Sequence, residues 1–449
     1  MKLSRWWMLV VAILIVRVPA PASAQVVVPL SLDAALERAV ASSPRLAESR
    51  AREAAASAAV TARLALGRPT LTAMSSVLRT NHVEAFGIPQ SDGRIRVIFP
   101  DIPTNYRARA EMLLPLFTSG RFGALVRAAR GDERAAGAES RAALADLELE
   151  VTTAYWTFVT AKQRADVLEH ALQRADAALG DVRARVETGV LPPNELSSAQ
   201  AQRGRQNVQL IQVRNEASLA EAQLRRLVGA APADVITPSS PIESSMPGAS
   251  ALESQPASAL LARAIQVRPE RQALAERERA LRSAADAARA SSRPQVGAVA
   301  AVEPARPNQR FVPRADRWNT SWDLGVNVSW SLWDSGRSRA EVAVSSAQAD
   351  ALRARIADFD ASIAVEVQQR LLDLASSREA VEASAEVVTA ATEAARVLRE
   401  RFAVGVATST EVLDADLTLL EAELERTRLM SAVRLGEARL ARTVGRPPS

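Results

Sequence analysis

The sequence predicts a mainly α-helical chain with a membrane β-barrel part, built from two structural repeats. Three observations predict it. Of its 449 residues, 48% are hydrophobic but only 4% aromatic, and much of the apolar content is alanine, the best helix former. The chain also resembles itself: PLFTSGR at 115–121 answers SLWDSGR at 331–337, and ETGVLPPNEL at 187–196 answers AVGVATSTEV at 403–412. Finally, the segment before Gly336 alternates between apolar and polar residues, the pattern of a strand with one greasy and one wet face.

Taken in order, the chain opens with a cationic stretch (Lys2, Arg5), an apolar run from Trp6 to Val16, and Ala22-Ser23-Ala24. That grammar is a cleavable export signal over residues 1–24. The run is too short to span a bilayer, which takes about 20 apolar residues, and Arg17 interrupts it. Cleavage would expose Gln25, which is not the Cys of a lipoprotein anchor.

The first repeat covers 25–229 and the second 257–449. Residues 230–256, rich in Pro, Ser and Ala, join them. A spacing of 216 residues separates Gly120 from Gly336, Gly189 from Gly405, Glu195 from Glu411 and Val228-Gly229 from Val444-Gly445. Upstream the spacing becomes 225 (Pro44 to Pro269, Pro69 to Pro294), so the first copy holds nine more residues than the second. An exposed loop accommodates such an insertion. Each copy has the same grammar. A helical segment (31–66, 257–292) precedes two extended segments around a polar loop (about 70–117, about 295–333). A long Pro-free helix (121–188, 337–404) and a shorter helix (194–228, 410–444) follow. The long helix reaches about 100 Å at 1.5 Å per residue, and the two short helices end to end match it. Long antiparallel helices without a thick core bury narrow stripes, as coiled coils do.

Four strands per chain are expected. Trp322, Leu324, Val326, Val328, Trp330 and Leu332 lie on one face, against Ser321, Asp323, Gly325, Asn327, Ser329 and Ser331. The first copy repeats the parity, with Ala108, Ala110, Met112, Leu114 and Leu116 against Arg107, Arg109 and Glu111. A transmembrane strand needs about 9–11 residues. Four strands cannot close a barrel, for which about eight is the minimum, and lipid forbids open edges. The strands must therefore be shared around a ring of chains.

With these features in place, the sequence resembles the TolC family of outer-membrane efflux proteins. PLFTSGR, SLWDSGR and the turn RFAVGVATSTEVLDAD at 401–416 carry the resemblance, which extends over essentially all of residues 25–449. It implies a homotrimer, with a twelve-stranded barrel in outer-membrane lipid continued by a helical barrel across the periplasm. It also implies partners: a periplasmic adaptor protein at the helix-turn tips, and through it an inner-membrane pump or ABC exporter. The adaptor-facing tips would be Gly189, Glu195 and Gly405, and Gly120 and Gly336 would mark strand-to-helix junctions. The family's two entrance acids fall on Glu411 and Asp414. Its Tyr and Arg gate latch falls on Phe402 and Ala407, which lack the hydroxyl and the charge. A resting gate here would therefore rest on apolar packing, with Phe402 at the constriction. Taken without the resemblance, Glu411 and Asp414 read as simple first-turn acids favoured by the helix dipole.

Other chemistry is absent from the sequence. There is no Cys, and the two His are His82 and His170, so neither a thiolate site nor a His-rich metal site is expected. No P-loop, G-x-S-x-G or H-E-x-x-H occurs, so neither an enzyme nor a cofactor is expected. Nearly every cation is Arg, and these are interleaved with Glu and Asp rather than clustered with aromatics. That pattern argues against a nucleic-acid surface. Two functions remain: a passive outer-membrane exit duct, or a structural periplasmic coiled-coil protein without a pore. The alternating strand favours the duct.

Overall fold

The computed structural model describes residues 27–240, 242 and 252–445. The export signal at 1–24 lies outside the described residues, as do residues 241 and 243–251 of the joining segment. In chain order the elements of the first repeat are β1 (Val27–Leu30), α1 (Leu32–Ser42), α2 (Pro44–Ala65), β2 (Thr70–Arg79), β3 (Phe86–Pro89), β4 (Ile95–Phe99), β5 (Thr104–Phe117), α3 (Arg121–Glu187) and α4 (Pro193–Leu227). There follow β6 (Val235–Pro238), α5 (Ala257–Val267), α6 (Pro269–Ser291), β7 (Gln295–Arg306), β8 (Asn319–Ser329), α7 (Arg337–Ala403) and α8 (Ser409–Thr443). Among the described residues no helix is long and apolar enough to cross a membrane.

The repeat is written into the element boundaries. The long helices α3 and α7 have 67 residues each, and α4 and α8 have 35 each. The helical segments read as 31–66 and 257–292 each divide in two. Proline is the cause: it lacks an N–H and pushes the preceding residue out of the helical region. Ser43 before Pro44 has ψ 116°, and Arg268 before Pro269 has ψ 121°.

The chain forms two compact units. Of the described residues, the first comprises Val27–Ser42, those within 153–244 and Ala391–Thr427. In it β1 and β6 pair in parallel, a pairing that the sequence reading left as linker. Tyr155 is wholly buried beside this pair. Its hydroxyl donates to the Leu30 carbonyl (3.1 Å) and accepts from the Ser240 N–H (3.0 Å). Along the helices, Leu168, Leu210, Val213 and Leu420 form one apolar cluster.

Of the described residues, the second unit comprises Ser43–Thr152, Leu252–Ala390 and Arg428–Gly445. It contains a four-stranded antiparallel sheet in the order β2-β5-β7-β8. The expected alternation is present: Trp322, Leu324, Val326 and Val328 are 71%, 73%, 66% and 64% exposed. Met112, Ala300 and Leu324 lie in one cross-strand row of this apolar face. The opposite face is charged. Arg109 bonds Glu111 (2.8 Å), Glu303 (3.3 Å) and Asp323 (3.1 Å), joining three strands, and Arg107 adds Glu303 at 2.9 Å. The last strand ends at Ser329 rather than near 333, and the Trp330 indole instead donates to the Ser292 carbonyl (3.1 Å). The extra residues of the first copy lie in the β2–β5 connection, where β3 and β4 form a hairpin.

Packing in this unit is close. A Cβ at Gly131 of α3 would lie 2.9 Å from the Ala280 methyl of α6, so only a hydrogen fits between these helices. Leu260, Ala264, Ile363, Val367, Leu374 and Leu440 form the apolar core. Beside it runs a buried ionic network. Arg442 bonds Asp146 (2.7 Å) and Glu270, and Arg268 bonds Glu366 (2.6 Å). Glu437 bonds Arg434 and Arg378, both at 2.9 Å. Such charges are tolerated inside because each is paired.

Candidate functional site at the helical tips

The two tip turns belong to the first unit and share one construction. After α3 the Gly189 N–H bonds the Val186 carbonyl (3.0 Å) and the Val190 N–H bonds Arg185 (2.8 Å). After α7 the Gly405 N–H bonds Phe402 (3.0 Å) and the Val406 N–H bonds Arg401 (2.8 Å). These are Schellman motifs, whose reversal requires a left-handed residue. Gly189 has φ 73° and Gly405 φ 81°. The strand-to-helix junctions also match across the repeat: Gly120 and Gly336 have φ 88° and 84°, and Ser119 and Ser335 before them φ 50° and 55°.

The helices leaving the turns start differently. In the second copy the Thr408 N–H (2.7 Å) and hydroxyl (2.9 Å) both donate to the Glu411 carboxylate. The Thr408 hydroxyl in turn accepts from the Glu411 N–H (3.3 Å). This is a capping box, and it holds the Glu411 carboxyl below the usual carboxylate range, first through the Thr408 N–H and then through its hydroxyl. The first copy has Pro192 at the cap position, which offers no side-chain bond. Glu195, the counterpart of Glu411, is therefore free to reach across to the Ser409 hydroxyl. Asp414 is exposed on the same helix as Glu411; residues three apart share a helix face.

Phe402 is 7% exposed and packs with Val182, Ala199 and Val412. The Arg185 guanidinium carbon lies 4.4 Å from the centroid of its ring, and Arg185 Nη2 donates to the Ala403 carbonyl (2.9 Å). Arg399 pairs with Asp416, and Arg174 with Glu423 at 2.9 Å. The two helical hairpins are thus joined by Arg185–Phe402, Arg185–Ala403, Glu195–Ser409 and Arg174–Glu423. The sequence reading found Phe402 and Glu195 but missed Arg185, which looks like any other arginine on a solvated helix until its neighbour from the other repeat is known. Among the described residues no group of His, Asp and Glu has the arrangement of a metal site.

Comparison with known proteins bears on the family and the fold. The model of the outer membrane efflux protein family matches residues 35–230 and 260–446, one match for each repeat. A membrane protein of Pseudomonas aeruginosa has the same fold, with a TM-score of 0.77, 20% identity and 94% of both chains covered. So does the open state of the Neisseria gonorrhoeae MtrE outer membrane channel, with a TM-score of 0.75, 17% identity, and 93% of this chain and 89% of that one covered. The fusaric acid resistance protein FusA of Burkholderia cepacia is 26% identical over 133 residues, 30% of this chain and 25% of that protein. The chain thus aligns with only a quarter of this relative's length. Because the family model spans both repeats and breaks only at the segment joining them, the chain belongs to the outer membrane efflux protein family.

Proposed function

We propose that the chain is one protomer of a passive, homotrimeric exit duct in the outer membrane, extending into the periplasm and serving efflux or secretion. The tips at Gly189, Glu195 and Gly405 would face a periplasmic adaptor protein, which couples the duct to an inner-membrane pump or ABC exporter. The observation that carries this reading is the four-stranded sheet. One face is apolar and exposed, the other is charged, and among the described residues its outer strands β2 and β8 each have a partner on one side only. An exposed apolar face fits lipid, a charged face fits a wet lumen, and two open edges fit neighbouring copies of the same chain. Three copies give twelve strands. A structural coiled-coil protein has no use for such a sheet.

In this reading Glu411 and Asp414 ring the periplasmic entrance as six carboxylates, and the resting gate is held by packing around Phe402. Energy comes from the inner-membrane partner, since the duct itself only conducts. Reconstitution into a planar bilayer tests the proposal: the purified protein should open ion-conducting channels, and deleting its gene should abolish export. A protein recovered from the soluble periplasmic fraction and silent in bilayers would instead be the structural coiled coil.

A further inference from the structure

In the unit that holds the tips, a cavity of about 490 Å³ opens between α3 and the α7–α8 hairpin. Ala178, Val182, Phe402 and Leu413 give it apolar walls, and Arg185 and Arg399 enter it as cations. Arg399 is neutralised by Asp416. Arg185 is not: among the described residues its guanidinium has the Ala403 carbonyl and the Phe402 ring as partners, and it forms no ion pair. A guanidinium has five N–H donors, so most of those on Arg185 remain for a ligand. A cation of this kind, beside an aromatic face and apolar walls, lacks only its counter-ion.

We propose that this cavity binds an amphiphilic organic monoanion, a carboxylate or sulfonate carried on an aromatic body. The acidic head would accept hydrogen bonds from Arg185 and the ring would lie against Phe402. The volume is within the range of about 300–1,000 Å³ usual for small-molecule sites. Charge selection follows from the pairing: of the three arginines on the lining, Arg174 and Arg399 are matched by Glu423 and Asp416, and exposed Asp181 also lines the cavity, so Arg185 calls for one negative charge and dianions are disfavoured. The walls come from both repeats, α3 from the first and α7 and α8 from the second, so an occupant bridges the two hairpins.

Calorimetric titration of the purified full-length protein in nonionic detergent tests this, with 2-naphthoate as the probe, uncharged 2-naphthamide as its control and empty micelles subtracted. The expected result is saturable binding of naphthoate, one per chain, with the amide weaker by about tenfold or more. Arg185→Gln should weaken naphthoate binding by a similar factor. Ala178→Leu, which narrows the cavity and keeps the charge, should weaken it too, so the test survives a failure of the Arg185 variant to fold. Uptake no greater than by empty micelles overturns the proposal. So does equal affinity for the amide, or naphthoate binding undiminished in the variants that fold.

Discussion

At Gly405 nothing lies within 4 Å of where a Cβ would be, yet φ is 81°. The position therefore constrains the backbone and not the space around it. A β-branched residue held in the left-handed region costs about 1–2 kcal/mol, whereas Asn visits that region readily. Gly405→Val should abolish export while leaving trimer yield unchanged, and Gly405→Asn should keep most of it; drug or toxin tolerance of the expressing cells reads both. Unchanged export in the Val variant would remove this turn from the docking surface. Nearby, the double change Glu411→Gln with Asp414→Asn isolates charge from capping, because Gln still offers Thr408 an oxygen acceptor. Two carboxylates about 4 Å apart repel by roughly 1 kcal/mol in water and about 4 near a protein surface, so a ring of six attracts cations. Single-channel recordings of the double variant should show weaker cation selectivity and weaker block by multivalent cations. If both persist, the two acids serve only their helix start. Sequence spacing sufficed to align Glu195 with Glu411, but not to foresee their different partners. That divergence comes from Pro192 standing where the second copy has Thr408.

At the scale of elements, the apolar face of β8 carries a prediction about lipid. An arginine at the bilayer midplane on a lipid-facing site costs about 2–4 kcal/mol. Leu324→Arg should therefore sharply lower the amount of protein in the outer-membrane fraction, and Asn327→Arg on the other face should not. Equal loss from both would contradict the assignment of the faces. The buried network around α6 and α8 carries one about stability. Burial disfavours the Glu270 carboxylate, but the Arg442 hydrogen bond and charge, a backbone hydrogen bond and the charge of Arg268 together more than offset this, leaving its pKa below the usual carboxylate range. A depressed carboxylate stabilises the fold above its unfolded value, about 4.3, and the contribution is lost as pH falls through the lower folded value. Arg442→Met removes the partner shared by Asp146 and Glu270, which keep only the longer contacts to Arg45 (3.8 Å) and Arg268 (3.4 Å), so a loss of about 1–3 kcal/mol is expected. Thermal melts should show a lower midpoint at neutral pH and a smaller difference in acid. The long helices were legible because no proline interrupts them and both copies agree in length. The β1–β6 and β3–β4 pairs were not, since strands of four or five residues show too little alternation to register, and β1 meets its partner only through the tertiary fold. The breaks at Pro44 and Pro269 fell inside stretches whose helical pattern continues on both sides.

For the molecule as a whole, the two repeats agree down to single dihedral angles. Gly120, Gly189 and Gly229 have positive φ, and so do Gly336, Gly405 and Gly445. One copy's half of the sheet cannot close anything, and neither can one chain's four strands. Chemical crosslinking in detergent should therefore stop at three chains; a stable monomer or a soluble dimer would defeat the ring. The parallel pair of β1 with β6 bears on the order in which the chain assembles. Val27 meets Val235, and beside this pair the Leu32 N–H bonds the Ser240 hydroxyl across 208 positions of sequence. Closing so long a loop is slow but adds only logarithmically to its entropic cost. A chain emerging N-terminus first therefore leaves β1 waiting until the whole first repeat has crossed. The pair thus forms while β5 of the first repeat still lacks β7, its neighbour from the second, so the sheet is completed only after β1 and β6 have met.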